Sequence, residues 1–409
     1  MVEKILWEAG SSFSNLDPIL ETIGKKQPNL LLLSFLIQAS KEERKQTDEI
    51  KEEEIRKSVV DHLNGLKKST CKTSQDQEAF RKLIGTLSVL SEFEVPMERR
   101  FIDGGAVGNL LERLEKKKEI LSLKGRIFDQ EYYLLPHSRL ASLYRDVCLD
   151  EEKRREVLKD YIIQGDFFGT LISRLAFEAG SLLKSLIKDS RKEFIKRDLS
   201  QASIKEIGYF LGVIAWADKE LAKEIASVHS DILRQKDLSQ ASIKEIGYFL
   251  EGIAWADKEL AKEIASVHSD TLRQRISQAS IKEIGYFLWG IARADKELAK
   301  EIASVHSDTL RQKDLSQASI KEIGYFLMGI ARADKELAKE IARVHEKILK
   351  KKLSEEKNYN ARGFFIWVIN AYIDPVMVKR LEKQYRGERM YSFKKVLISI
   401  KNTLFHPPF

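Results

Sequence analysis

From Ser280 to Leu310, apolar side chains recur at Ile281, Ile284, Phe287, Leu288 and Ile291, then at Leu298, Ala299, Ile302, Ala303 and Val305. Steps of three and four place each set on one side of a helix. Ser280 with Glu283 three residues later has the form of a capping box, and Asp295 is an N-cap for the second helix. Ser307-Asp308 restarts a short third helix through Leu310. Each stretch of this kind is therefore predicted to be a helical hairpin with an extra turn. Lys and Glu fill the positions between, as on a solvated face.

The same pattern is written four times. Ser-Ile-Lys-Glu-Ile-Gly-Tyr-Phe-Leu begins at Ser203, Ser242, Ser280 and Ser319, and Ala-Asp-Lys-Glu-Leu-Ala-Lys-Glu-Ile-Ala follows at Ala217, Ala256, Ala294 and Ala333. A period of 38–39 residues is the mark of a solenoid, in which each unit buries its apolar face against its neighbours. Degenerate copies flank the four: a shift of one period sets Gly169 and Phe177 on Gly208 and Trp216, and Gly363, Phe364 and Trp367 on Gly324, Tyr325 and Met328. About six units are predicted over 166–390, with Pro375 breaking the pattern in the last, as a terminus would. Gly208, Gly247, Gly285 and Gly324 sit inside the first helix of each copy. Glycine there is disfavoured by about 1 kcal/mol against alanine, so a neighbouring helix is expected to pass close by.

Residues 1–150 do not repeat. Pro28 opens a helix over 29–39, and a charged helix follows over 49–63. Beyond a polar loop at 69–77, helices are predicted over 79–91, 96–102 and 107–118. Strands at 120–123 and 132–135 alternate around Lys124-Gly125-Arg126 as a hairpin. Three helices and a hairpin make a winged helix-turn-helix. The predicted architecture is mainly α: a helical lid-like segment (1–68), a winged helix (78–150), an αα-solenoid (166–390) and a basic tail (391–409).

Composition excludes more than it assigns. Cys71 and Cys148 are the only cysteines, too few for a disulfide framework or a cysteine-rich zinc site. The apolar stretch Leu30–Ile37 is far shorter than the roughly 20 residues of a membrane span. With no signal-peptide pattern at the start, the expected compartment is the cytoplasm. Lys347 to Phe409 holds 14 Lys+Arg against 5 Asp+Glu, so the net charge of +8 belongs to this end and the remainder sums to −1. Aromatic residues interleave these charges, a mixture that caps the array or binds nucleic acid.

Differences between near-identical copies mark candidate binding positions. One position reads Gly212, Glu251, Trp289, Met328; four residues later comes Trp216, Trp255, Arg293, Arg332. Positions i and i+4 share a helix face. Tryptophan and arginine are the favoured anchors of protein interfaces, so Trp216, Trp255, Trp289, Arg293, Met328 and Arg332 are expected to face a protein partner. The aligned histidines His229, His268, His306 and His345 are one repeat apart. Helices pack about 10 Å apart, too far for ligands sharing one ion, so no metal is expected. No Ser/His/Asp order, His-Glu-x-x-His or P-loop lysine motif occurs; a binding protein without catalysis is predicted.

Lys26-Gln27-Pro28 ahead of an apolar run, and Leu135-Pro136-His137-Ser138 ahead of Leu140-Ala141-Ser142-Leu143-Tyr144, resemble two motifs of the STAND class of signal-transduction ATPases. In that class a helical lid carries Gly-x-Pro, a winged helix ends in Met-His-Asp, and a helical-repeat sensor follows. Lys26 replaces the glycine here, and Pro136 and Ser138 flank the histidine. The resemblance implies nucleotide contacts from Pro28 and His137, a regulatory role, and a P-loop ATPase core supplied elsewhere, with a P-loop ATPase chain as a partner. Without that core this chain is expected to hold no cofactor. A DNA-binding regulator is the second expectation: the helix over 107–118 would read the duplex, with Arg113, Lys116, Lys117 and Lys118 on phosphates. Residues 1–150 carry 24 basic against 25 acidic residues, where such a domain is normally basic.

Overall fold

The computed structural model describes residues 52–101, 105–124, 131–136, 138–276 and 279–382. They divide into two compact units, one ending at Phe167 and one starting at Phe168. The expected lid residues up to 51, and the tail at 391–409, lie outside the described residues.

In the first unit α1 (Glu52–Thr70) and α2 (Ser74–Glu92) precede β1 (Met97–Glu98) and a single 3-10 turn, Arg99–Phe101. Next come α3 (Gly105–Lys116), the hairpin β2 (Leu121–Lys124) and β3 (Glu131–Leu134), α4 (Ser138–Cys148) and α5 (Glu151–Gln164). The Thr73–Asp76 capping box opens α2, whose Leu83, Ile84, Leu87 and Leu90 are fully buried, as are Leu140 and Tyr144 of the adjoining α4. The sheet is antiparallel in the order β1-β3-β2, with Leu121 opposite Leu134 and Met97 opposite Tyr133.

The short helix expected over 96–102 does not form; Met97 and Glu98 are a strand. Both are buried, and pairing with β3 satisfies backbone groups that a lone turn would leave unpaired. Burial raises the Glu98 carboxyl to about 7. Its Oε1 accepts the Tyr161 hydroxyl at 3.0 Å and the Asp166 amide N–H, while Oε2 finds no partner among the described residues.

The second unit is a stack of six helical units. A first unit of α6 (Phe168–Glu178), α7 (Gly180–Asp189) and α8 (Arg191–Lys196) leads into the four near-identical copies. These are α9 (Ile204–Ala217), α10 (Lys219–Val228) and α11 (Ser230–Arg234); α12 (Ile243–Ala256), α13 (Lys258–Val267) and α14 (Ser269–Gln274); α15 (Ile281–Ala294), α16 (Lys296–Val305) and α17 (Ser307–Gln312); and α18 (Ile320–Ala333), α19 (Lys335–Val344) and α20 (Glu346–Glu355). The last unit is α21 (Tyr359–Val368), one π-helical turn (Ile369–Ile373) and α22 (Pro375–Glu382). Ser203, Ser242, Ser280 and Ser319 cap the long first helices, and Asp218, Asp257, Asp295 and Asp334 the second ones.

First helices stack on first helices, and glycine sets how closely. A Cβ on Gly247 would lie 2.6 Å from the Tyr286 carbonyl oxygen, and one on Gly290 only 2.1 Å from that of Gly247. Gly208, Gly252, Gly285 and Gly329 meet neighbouring backbone in the same way, so the layer touches main chain to main chain. Beside this seam Tyr209, Tyr248, Tyr286, Tyr325 and Phe364 form a ladder of rings with centroids 4.7–5.1 Å apart. Each imidazole of His229, His306 and His345 bonds a carbonyl one repeat back, that of Ile195, Arg273 and Arg311, at 2.5–2.9 Å. Three of the four aligned histidines thus staple neighbouring units, while His268 Nε2 is buried with no hydrogen-bond partner among the described residues, and no metal-ligating cluster occurs among them. Arg234–Glu263, Arg273–Glu301 and Arg311–Glu340 pairs at 2.8–3.1 Å repeat the linkage on the exposed side.

Two expectations need correction. Val305 and its equivalents Val228, Val267 and Val344 are exposed; each ends its helix beside a capping histidine, past the last turn that faces the core. Pro375 does not break the last unit. Asp374 caps α22 by accepting the Val376 amide N–H at 2.8 Å, and Pro375 takes the first helical position, where its missing N–H has no partner to lose. From Asp334 to Asp374 the step is one residue longer than from Tyr325 to Phe364, and the π turn takes up the extra residue.

Candidate partner-binding stripe

Each first helix brings the variable positions to the same face, so α6, α9, α12, α15, α18 and the π-helical turn of the last unit contribute one step each to a stripe. Along it lie Phe177, Trp216, Trp255, Arg293, Arg332 and Tyr372; Glu251, Trp289, Met328 and Trp367 lie one helical turn earlier. Of the sequence-predicted residues, Trp255, Trp289, Arg293 and Arg332 come together in one cluster around Glu251. Arg293 lays its guanidinium 3.2 Å from the centre of the Trp255 ring, and Arg332 lies 4.2 Å from that of Trp289. Arg332 Nη2 donates to the Tyr372 hydroxyl at 3.0 Å. Tyr372 meets Trp367 edge-on at 5.2 Å between centroids, and Lys184 reaches to 5.2 Å from the Trp216 ring.

Glu251 is the buried node of this cluster. Its Oε1 accepts Trp289 Nε1–H at 2.7 Å. Burial raises its carboxyl, opposed by hydrogen bonds from Trp289 and Trp255 and by the charges of Arg293 and Arg332. Desolvation lowers Arg293, which Glu251 counters and Arg332 reinforces. A guanidinium lying over an aromatic ring is restrained by that contact.

Exposure separates the predicted residues. Trp255 at 39% and Phe177 at 72% stand out to solvent, as does Arg332; Trp216, Trp289 and Arg293 are half-buried, and Met328 is buried in the stack. Truncating all six would unsettle the repeats as well as the surface. Phe177, Tyr372 and Glu251 join the site from outside the predicted set. Phe177 aligned with Trp216 in sequence; Glu251 stood at a variable position of the array, but its role rests on the Trp289 indole 38 residues away. Pro28 and His137, the expected nucleotide contacts, lie outside the described residues.

The alternative duplex-reading surface is less free than expected. Arg113 donates to the Thr70 carbonyl at 2.5 Å and Lys117 to Ser69 Oγ at 2.7 Å, so two of its four cations are tied to the end of α1. No helix among the described residues is long and apolar enough to cross a membrane. Comparison with protein-family models, with curated proteins and with solved structures returns no match.

Proposed function

We propose that this chain is a non-catalytic recognition protein whose solenoid captures a protein partner on the stripe from Phe177 to Tyr372. Following the resemblance of its motifs, the first unit with its winged-helix order of elements and the lid-like segment before it form the regulatory half of a STAND-type switch, working with a P-loop ATPase core. One observation carries the binding reading: near-identical copies each carry a different residue at one position (Gly212, Glu251, Trp289, Met328) and change from tryptophan to arginine four residues later, and both positions fall on one strip across consecutive repeats. Duplication followed by change at these positions yields one scaffold with a surface specific to its ligand.

Hot spots lose about 2 kcal/mol or more on truncation, roughly thirtyfold in affinity. Phe177→Ser combined with Trp255→Ala, the most exposed of the stripe's apolar residues, is therefore expected to empty a native-lysate pull-down of its specific bands while the helical circular dichroism stays unchanged. An unaltered band pattern would sink the assignment.

A further inference from the structure

The stripe carries two guanidiniums whose hydrogen-bonding edges are almost unused. Arg293 makes no hydrogen bond or ion pair among the described residues, and Arg332 uses one donor, on Tyr372. Each guanidinium offers five N–H groups in a planar fork that matches a carboxylate. Both guanidiniums lie over tryptophan rings, Trp255 and Trp289, a contact that limits their freedom before any ligand binds. Two positive charges stand against one buried carboxylate, Glu251, which accepts the Trp289 N–H and makes no ion pair with either arginine. The cluster is left one negative charge short in a half-desolvated setting. From this geometry we infer that Arg293 and Arg332 are a receptor for carboxylate side chains on an extended, acidic peptide segment of the partner, an inference that rests on the protein-binding reading above.

A peptide fits better than a nucleic acid because Trp255 and Trp289 already carry guanidiniums on their rings, and bases bind chiefly by stacking on open aromatic faces. Spacing agrees as well. An extended chain advances about 10 Å in three residues, close to the roughly 8–10 Å between packed helices. An acidic residue at every third position would therefore meet the arginines of successive repeats.

The test uses the full chain and a fluorescein-labelled peptide of about ten residues, with Glu at every third position among Gly and Ser, spanning about three repeats. Anisotropy at low salt is expected to show binding that weakens as salt screens the charges. The Gln counterpart, and the Glu peptide with Arg293→Gln or Arg332→Gln, are each expected to bind at least tenfold more weakly. Arg332→Lys should weaken binding too, since an ammonium cannot bracket both carboxylate oxygens. No binding of the Glu peptide, equal binding of the Glu and Gln peptides, full affinity in both arginine variants, or stronger binding of oligothymidylate of the same length would each overturn the inference. A pull-down separates the two levels. Loss of the partner with Phe177→Ser/Trp255→Ala but not with Arg293→Gln/Arg332→Gln ends the carboxylate receptor and leaves the stripe standing; retention by both pairs ends both.

Discussion

At the scale of single residues, the firmest commitments of this chain are its smallest side chains. A methyl group on Gly247 would lie 2.6 Å from the Tyr286 carbonyl oxygen and 2.8–2.9 Å from further main-chain atoms of Tyr286 and Phe287, which no rotamer can move aside. Alanine should gain about 1 kcal/mol of helix propensity at an isolated site; here overpacking outweighs it, typically by 1–3 kcal/mol or more. Gly247→Ala is thus expected to lower the urea midpoint of the solenoid, against the sign of the propensity scale. That these glycines mark close approach was legible in the sequence, because a disfavoured residue repeated in register needs a packing reason. The role of Glu251 was not legible: an acid at a variable position in an apolar stretch is explained only by the Trp289 indole donor that the next copy brings.

At the scale of elements, local rules predicted what local rules govern. Capping boxes at Ser242 and Ser280, Asp caps and the spacing of apolar positions gave the helices of the array closely. The failures came where structure depends on partners distant in sequence. A two-residue strand has no period to detect, and β1 exists because β3 pairs with it and because Glu98 reaches back to Tyr161 and Asp166. The one-residue insertion hidden in the last unit surfaced only as a π turn. Glu98 also makes the first unit sensitive to pH. Its carboxyl is raised from 4.5 to about 7, so the folded state holds the proton more tightly than the unfolded chain. The stabilisation is complete below about 4.5 and is lost as pH climbs through about 7, an effect on the order of 3 kcal/mol at most. Urea titrations near pH 5 and pH 8 should show the first transition weakening at the higher pH in the wild type and holding constant in Glu98→Gln.

At the scale of the whole molecule, the described residues contain two units held by different means. The first has a mixed core around α2 and a small sheet, while the second is bound by contacts that recur at one period: the glycine seam, the tyrosine ladder, the histidine staples and the arginine–glutamate pairs. Stability in such an array is close to a sum over units and their interfaces. Removing one copy, residues 242–279, joins Ala241 to Ser280 and keeps the period. The shortened chain is expected to fold with the same helicity per residue and to unfold at lower urea, as circular dichroism would report.

Near-identity carries a hazard of its own, since any copy could pair with the wrong neighbour and still match seam, ladder and staples. Glu251 breaks that degeneracy. Its carboxylate finds the indole N–H of Trp289 and the nearby charge of Arg293 only when the third copy follows the second. Beside a copy that offers Gly212 or Met328 at that place, the same carboxylate would lose the Trp289 donor, and an unsatisfied buried acceptor costs about 1–3 kcal/mol. One glutamate therefore serves as an address within an array that otherwise repeats one word, selecting the correct order of repeats during folding.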